Sequence, residues 1–219
     1  MSSLRQEYMS YVSSAAWPTN LYRVGVVYNT MSRAIRNASE PAKRYLFDSL
    51  CAIGDEFQKN IPTIIRSQST FDAWHADKIR DLKGISFNWT DGSGGRHTNL
   101  TLGLAQKFLN LMLKDWWATG ACGNCDYSVL HAPFDNVVWN VLWELRPRFD
   151  CPSLKSGSTY KGISHWDSNL EYRSYQAHLL SAALSQDVMR QMRSRLRQFE
   201  TEQPPATRIE MEQLLWQKG

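Results

Sequence analysis

The sequence contains no apolar run long enough to cross a bilayer as a helix, and its amino terminus has no signal-peptide hydrophobic region. We therefore expect a cytoplasmic protein that makes no contact with a membrane. Cysteine is scarce, with four residues in 219, and in a reducing compartment such residues are more often thiols or metal ligands than disulfides. Internal repeats, low-complexity tracts and convincing β alternation are also absent, which leaves an all-α fold.

Charge of either sign is also limited, because 25 Lys and Arg residues face 21 Asp and Glu residues for a formal net charge of +4. This balance argues against a protein that holds DNA by bulk positive charge, so any DNA contact has to be local. Aromatic residues are plentiful instead, with nine Trp, nine Tyr and eight Phe. They can build a large core or offer stacking surfaces for nucleobases.

Apolar periodicity and capping residues predict a series of helices in one domain, residues 1–219, folded as two helical lobes around a cleft. The predicted helices cover 3–16, 21–37, 40–59, a segment capped by Thr70, the two central segments described below, a long helix capped by Asp167 or Ser168 that reaches to about Glu200, and a final helix near 209–216. Residues 84–99 are rich in turn-forming residues and are predicted to be a loop. This loop is either a surface connection or a phosphate-binding loop to which Arg96 adds charge.

The central segment, residues 100–147, contains the most informative pattern. Gly103 is expected to form a tight turn that opens a helix carrying Lys107 one turn later, and Asp135 opens a second apolar helix. Taken singly, Lys107 reads as a solvated lysine and Asp135 as an ordinary helix cap. Their combination suits glycosidic bond cleavage, which needs an ionised carboxylate beside the cationic sugar and can use an amine as nucleophile.

The order of glycine turn, helical lysine and helix-capping aspartate resembles the helix-hairpin-helix DNA glycosylases of the endonuclease III and 8-oxoguanine glycosylase superfamily. The resemblance implies that Lys107 is the Schiff-base lysine and that Asp135 stabilises the cationic sugar or activates water. It further implies that Gly103, Ala105 and Gln106 grip a DNA phosphate, and we expect Arg96 to add a DNA contact.

This chain departs from the family pattern in three ways. Ala105 stands in place of the second hairpin glycine, and an aromatic-rich insertion, residues 115–129, separates the lysine from the aspartate. The four-cysteine iron–sulfur signature is missing, and we expect no metal or cofactor. A weaker zinc alternative stays open for Cys122 and Cys125, with Cys151 and either His131 or His165 as further ligands. Enzymes of this superfamily extrude the target base into a pocket, and the candidate pocket residues here are Trp116, Trp117, His131, Phe134 and Trp139.

The expected function is therefore a monomeric DNA glycosylase that excises a modified base from double-stranded DNA, with or without lyase activity. The bulky aromatic insertion favours glucosylated hydroxymethylcytosine in phage DNA as the substrate, as in bacterial glycosylases that act in phage defence. The alternatives are a repair glycosylase for a damaged base such as 8-oxoguanine, a non-catalytic helix-hairpin-helix DNA-binding module, and a helical protein-interaction domain.

Overall fold

The computed structural model describes residues 30–31, 33–35, 37–91, 94–119, 126–134, 136–145, 169–188, 190 and 207–216. Their main elements, in chain order, are helix α1 (Glu40–Ile64), helix α2 (Gln68–Gly84), strands β1 (Ser86–Thr90) and β2 (Arg96–Asn99), helix α3 (Leu102–Thr119), a 3-10 turn (Tyr127–Val129), and helices α4 (Asn136–Leu145), α5 (Asn169–Leu184) and α6 (Arg208–Trp216). The predicted helix 3–16, most of 21–37 and residues 191–200 lie outside the described residues. The described part is mostly helical, which confirms the all-α prediction at this level.

Helix α1 begins where the sequence predicts but ends later. The Ser39 side chain accepts a hydrogen bond from the Ala42 N–H at 3.3 Å, and Pro41 occupies the first turn, where its missing N–H has no helical partner. We expected the chain to break at Asn60, but the helix only bends there, with φ −118° and ψ 15°, and continues to Ile64. Pro62 removes one backbone hydrogen bond, and this produces a kink rather than an end.

Helix α2 begins earlier than predicted, because Ser67 and not Thr70 is its N-cap. The Ser67 hydroxyl accepts a hydrogen bond from the Thr70 N–H at 3.2 Å.

A serine also interrupts the long helix predicted to end near Glu200. Ser185 follows the end of α5, and its hydroxyl accepts a hydrogen bond from the Val188 N–H at 3.3 Å. A serine inside an apparently continuous apolar period can therefore cap a new turn.

The predicted loop 84–99 is instead a β-hairpin, and this corrects the expectation that the chain has no β-structure. Strands β1 and β2 pair antiparallel, and Gly94, with φ 89°, stands in the turn between them. The Asp91 carboxylate accepts hydrogen bonds from the Gly95 N–H at 2.9 Å and from His97 Nε2 at 2.8 Å. Apolar alternation failed to reveal the strands because most of their side chains are exposed and only Trp89 is fully buried.

Helix α3 runs through the centre of the core, against α1 and α2. Gly54 lets α1 approach closely, because a Cβ there would lie 3.2 Å from Met112 Sδ and 3.4 Å from Trp116 Cζ2. Helix α6 packs against α4 and α5, and a buried ion pair between Lys114 and Glu212 ties it to α3. None of the described helices is both long and apolar enough to span a membrane.

Candidate functional site

Residues 131–134 precede α4 and form a buried loop that side-chain amides hold in place; we call it the held loop. Gln176 accepts a hydrogen bond from the Ala132 N–H at 3.0 Å and donates one to the Ala132 carbonyl at 2.8 Å. Gln106 Oε1 accepts a hydrogen bond from the Phe134 N–H at 3.2 Å. These contacts supply partners to backbone groups that burial would otherwise leave unpaired. They fasten the held loop to α3 and α5.

A chain of hydrogen bonds runs from the interior to the surface through this loop. His75 Nε2 and Asn110 Oδ1 are 2.7 Å apart, and Asn110 Nδ2 donates to the Tyr172 hydroxyl at 2.8 Å. The Tyr172 hydroxyl lies 2.9 Å from His131 Nδ1, and His131 Nε2 lies 3.0 Å from Asp72 Oδ1. A single donor direction satisfies every link if both histidines are neutral, and the chain then ends on a half-exposed carboxylate.

Burial determines the protonation states along this chain. Burial, with the nearby His131 ring, lowers the pKa of His75 to about 3. Burial also lowers the pKa of His131, against the opposing effect of Asp72, and it raises the pKa of the Tyr172 hydroxyl. For Asp72, burial acts to raise the pKa, but hydrogen bonds from His131 and Gln68 outweigh it and lower the pKa. At neutral pH the chain therefore carries its charge only on Asp72.

Beside the held loop lies a pocket of about 830 Å³, which we call the basic pocket. Its charged lining residues are Asp72, Arg80, Lys83, Arg173 and Arg208. His75, His131, Tyr172 and Gln176 form part of its polar wall. Since four cationic side chains face one carboxylate, and both histidines are held neutral, the pocket favours an anionic ligand.

Arg208 is a fixed part of the wall of the basic pocket. It is 9% exposed, and its guanidinium donates to Gln68 Oε1 at 2.9 Å and to the carbonyl oxygens of Ser128 and Gln176, each at 3.2 Å. Burial lowers its pKa, although the nearby Asp72 opposes this effect. The guanidinium thus joins α2, the 3-10 turn and α5 through neutral acceptors.

The structure describes only one of the two predicted catalytic residues, Lys107. Lys107 is half-buried on α3 and does not line the basic pocket. Asp135 lies outside the described residues, so the prediction that its carboxylate faces the Lys107 amine stays a prediction. The Phe134 N–H nevertheless donates a hydrogen bond to Gln106 Oε1. Phe134 precedes Asp135 in the chain, and Gln106 precedes Lys107.

The predicted phosphate-binding turn is wrong in its geometry. Gly103 lies inside the first turn of α3, which Thr101 caps by accepting hydrogen bonds from the N–H groups of Leu104 at 3.3 Å and Ala105 at 3.0 Å. Gly103 and Ala105 are buried, and the fully buried Gln106 side chain donates to the Gly103 carbonyl at 2.8 Å. These three residues are therefore not exposed to a DNA phosphate in this structure, and a threonine cap after a β-hairpin, not a glycine turn, opens the helix.

Arg96, the remaining predicted DNA contact, is exposed on β2 and does not line the basic pocket. Its charge is available for a surface contact, but the structure does not bring it together with Lys107 in a common site.

Most of the predicted base-pocket aromatics belong to the core. Trp116 and Trp117 lie within α3 and not in an inserted loop, and Trp116 packs edge-on against Phe57 with 5.6 Å between ring centroids. Phe134 packs against Trp139 at 5.5 Å. All four predicted aromatics are at most 5% exposed, so they are not available to stack on a base in this conformation. His131 is the predicted pocket residue that does line the basic pocket.

Sequence reasoning missed the other members of this site, which are Asp72, His75, Tyr172, Gln176 and Arg208. A usable signal existed for His75, because it interrupts the apolar stripe of Phe71, Ile79 and Leu82 on α2. A polar residue on a buried stripe requires hydrogen-bond partners, and its partners here come from α3 and α5.

Within the described part of the chain, no group of three His, Cys, Asp or Glu residues is arranged to hold a metal ion. Of the ligands in the zinc alternative, Cys122, Cys125, Cys151 and His165 lie outside the described residues, whereas both ring nitrogens of His131 contact Tyr172 and Asp72.

Comparisons with protein-family models, with curated proteins and with solved structures find no match to this chain.

Proposed function

We propose that this chain is a DNA glycosylase that extrudes and excises a modified base from double-stranded DNA. The observation that carries the proposal is the held loop, which three buried amides, those of Gln106, Asn110 and Gln176, fasten directly before Asp135. Rigid support of this kind is what a catalytic carboxylate requires, because its position relative to the sugar has to be held within fractions of an ångström.

The chemistry assigned to the two residues follows from their positions in the chain. Asp135 directly precedes α4, where a helix N-terminus favours the ionised form of a carboxylate. In that form Asp135 stabilises the cationic sugar or activates water. Lys107, half-buried one residue beyond the Gln106 contact, serves as the Schiff-base nucleophile in a bifunctional mechanism.

The contact with DNA has to differ from that of the helix-hairpin-helix family, since the Gly103 segment is buried inside α3. In this proposal the phosphate backbone is held by exposed cations, among them Arg96 on the hairpin and the rim of the basic pocket. The basic pocket is then the part of a cleft between two helical lobes that receives the nucleotide. As part of the same proposal, the enzyme acts in the cytoplasm as a monomer.

A screen of modified duplexes tests the proposal. Duplexes of one sequence would contain glucosylated hydroxymethylcytosine, 8-oxoguanine or only unmodified bases, and alkali cleavage would report abasic sites. We expect excision from a modified duplex, with glucosylated hydroxymethylcytosine as the favoured substrate. Asp135→Asn should lower the rate about a hundredfold or more, whereas Asp55→Asn, an exposed carboxylate on α1, should leave it unchanged.

Borohydride trapping separates the two mechanisms. A covalent enzyme–DNA adduct that disappears in Lys107→Gln but persists in Lys59→Gln, an exposed lysine on α1, would establish Lys107 as the nucleophile. Excision without any adduct would assign a monofunctional mechanism in which Asp135 activates water.

A second candidate, a non-catalytic DNA-binding module, is favoured by one specific observation. Lys107 does not line the basic pocket, so the pocket could bind DNA without any chemistry. This candidate predicts salt-dependent DNA binding with no abasic sites on any duplex. The absence of excision by the wild-type protein across the screen would exclude the glycosylase.

A further inference from the structure

The basic pocket contains a buried cation, Arg208, whose hydrogen-bonded partners among the described residues are all neutral. The three described acceptors of Arg208 are an amide oxygen and two backbone carbonyls, and Nη2 makes no hydrogen bond to any described residue. Arg208 also forms no ion pair within the described part of the chain. A nearly buried guanidinium is costly unless an anion compensates it, and its planar nitrogens suit the oxygens of a phosphate.

An available hydrogen-bond acceptor lies in the same pocket. Asp72 uses Oδ1 for both of its described partners, His131 at 3.0 Å and Gln68 at 2.7 Å. Its Oδ2 accepts no hydrogen bond from any described residue, and its side chain is 49% exposed. Because these hydrogen bonds lower the pKa of Asp72, the carboxylate stays ionised and can accept an N–H or O–H of a ligand.

A third group, Arg173, adds positive charge to the rim of the pocket. It is exposed on α5, directly after Tyr172, and it forms no ion pair within the described residues. Arg80, by contrast, is already paired with Asp77 on α2. Arg173 therefore adds to the pocket that contains Arg208 a positive charge that no described carboxylate pairs.

The size of the pocket, together with its charge, limits the class of ligand. At about 830 Å³ it is much larger than a bare phosphate and lies within the usual range of small-molecule sites. A nucleotide combines the two required features, an anionic phosphate and hydrogen-bond donors on its base or sugar. We propose that the basic pocket binds a nucleotide, with its phosphate on Arg208 and Arg173 and a base or sugar donor on Asp72 Oδ2.

This inference rests on the proposed function, in which the basic pocket receives the nucleotide, and it adds which groups hold the phosphate and the base or sugar. Its test uses ligands that contain no modified base, so its outcome is separate from the outcome of the excision screen. Titration calorimetry on the full chain would compare thymidine 5′-monophosphate, thymidine, inorganic phosphate and a short 5′-phosphorylated oligothymidylate. We expect the monophosphate to bind more tightly than either thymidine or phosphate alone. Its affinity should decrease as the salt concentration is raised.

Two variants examine the two ends of the ligand. Arg173→Gln should lower the affinity for the monophosphate about tenfold, because it removes a charge-assisted contact. The affinity for thymidine should not change. The matched control Arg44→Gln, an exposed arginine of α1 outside the pocket, should have no effect. Asp72→Asn should reduce the advantage of the monophosphate over inorganic phosphate, and a melting curve would verify that each variant is folded.

The source of the nucleotide follows from the same titrations. Tighter binding of the oligonucleotide would indicate a nucleotide within a strand, and tighter binding of the monophosphate would indicate a free nucleotide; both support the inference. No binding of the monophosphate at millimolar concentration would overturn it. Equal affinity for inorganic phosphate and the monophosphate, or binding that Arg173→Gln leaves unchanged, would overturn it as well.

Discussion

Replacing Asn110 by leucine should destabilise the protein more than any other single amide substitution in the described core. The Asn110 side chain accepts from His75 Nε2 at 2.7 Å. Its Nδ2 shares two protons among three acceptors, the Tyr172 hydroxyl, Gln106 Oε1 and the Ala132 carbonyl, at 2.8, 3.1 and 3.2 Å. It thereby connects the hydrogen-bond chain with the held loop. Leucine has the same branched shape and number of side-chain heavy atoms, although its methyl groups are bulkier, so the substitution removes the polar contacts without opening a cavity.

The magnitude follows from what each partner retains. The three acceptors keep a second partner, whereas His75 Nε2 keeps only a 3.4 Å contact with Tyr172. Leaving one buried polar group unsatisfied costs about 1–3 kcal/mol, and losing the two protons that Asn110 donates costs about 1 kcal/mol each. The free energy of unfolding should therefore fall by roughly 3–5 kcal/mol, which lowers the melting temperature by about 6–20 °C for a chain of this length.

Urea denaturation followed by circular dichroism measures this change. The matched control is Gln58→Leu, which replaces an exposed amide on α1 and should change the free energy of unfolding by less than about 0.5 kcal/mol. If Asn110→Leu unfolds within about 1 kcal/mol of the wild type, the buried amide does not support the held loop, and the case for a pre-organised Asp135 fails with it.

Substitutions at three further sites, His75, the Lys114–Glu212 ion pair and Gly54, test the energetics of the core. Below pH 6.5 the unfolded chain protonates His75 whereas the folded chain keeps it neutral down to about pH 3. The free energy of unfolding should therefore decrease as the pH is lowered, by on the order of 3 kcal/mol between neutral pH and pH 4. His75→Gln should reduce this dependence on pH, as measured by urea denaturation at a series of pH values. Lys114→Met leaves the Glu212 carboxylate buried without its ammonium partner and should cost about 3–5 kcal/mol, measured by thermal melting. The double variant Lys114→Met/Glu212→Leu should recover most of that loss. Gly54→Ala should be tolerated through movement of the flexible Met112 side chain, whereas Gly54→Val should cost about 1–3 kcal/mol in the same melts.

Each of these expectations has a contrary outcome. An unchanged pH slope in His75→Gln would show that the buried imidazole does not govern acid stability. A double variant as unstable as Lys114→Met alone would contradict compensation between the two buried charges. A Gly54→Val protein with the wild-type melting temperature would show that α1 and α3 have room between them.

The features that the sequence predicted correctly are those decided by residues a few positions apart. The start of α1 at Ser39 and Pro41 and the all-α class follow from local capping and apolar periodicity. The final helix near 209–216 follows from the same kind of pattern. A helix cap acts over three residues, and an apolar face repeats every three or four, so both are visible in the order of residues alone.

The tertiary structure alone decided which polar side chains are buried and what they contact. His75 meets Tyr172 across 97 residues, and Lys114 meets Glu212 across 98. Such pairs leave no local pattern, because they form only when distant helices share one core. For the same reason Gln106, predicted to face DNA, instead holds Phe134 in the interior. Burial depends on how whole helices pack against one another. The amino-acid sequence shows which faces of a helix are apolar, but not which other helix covers each face.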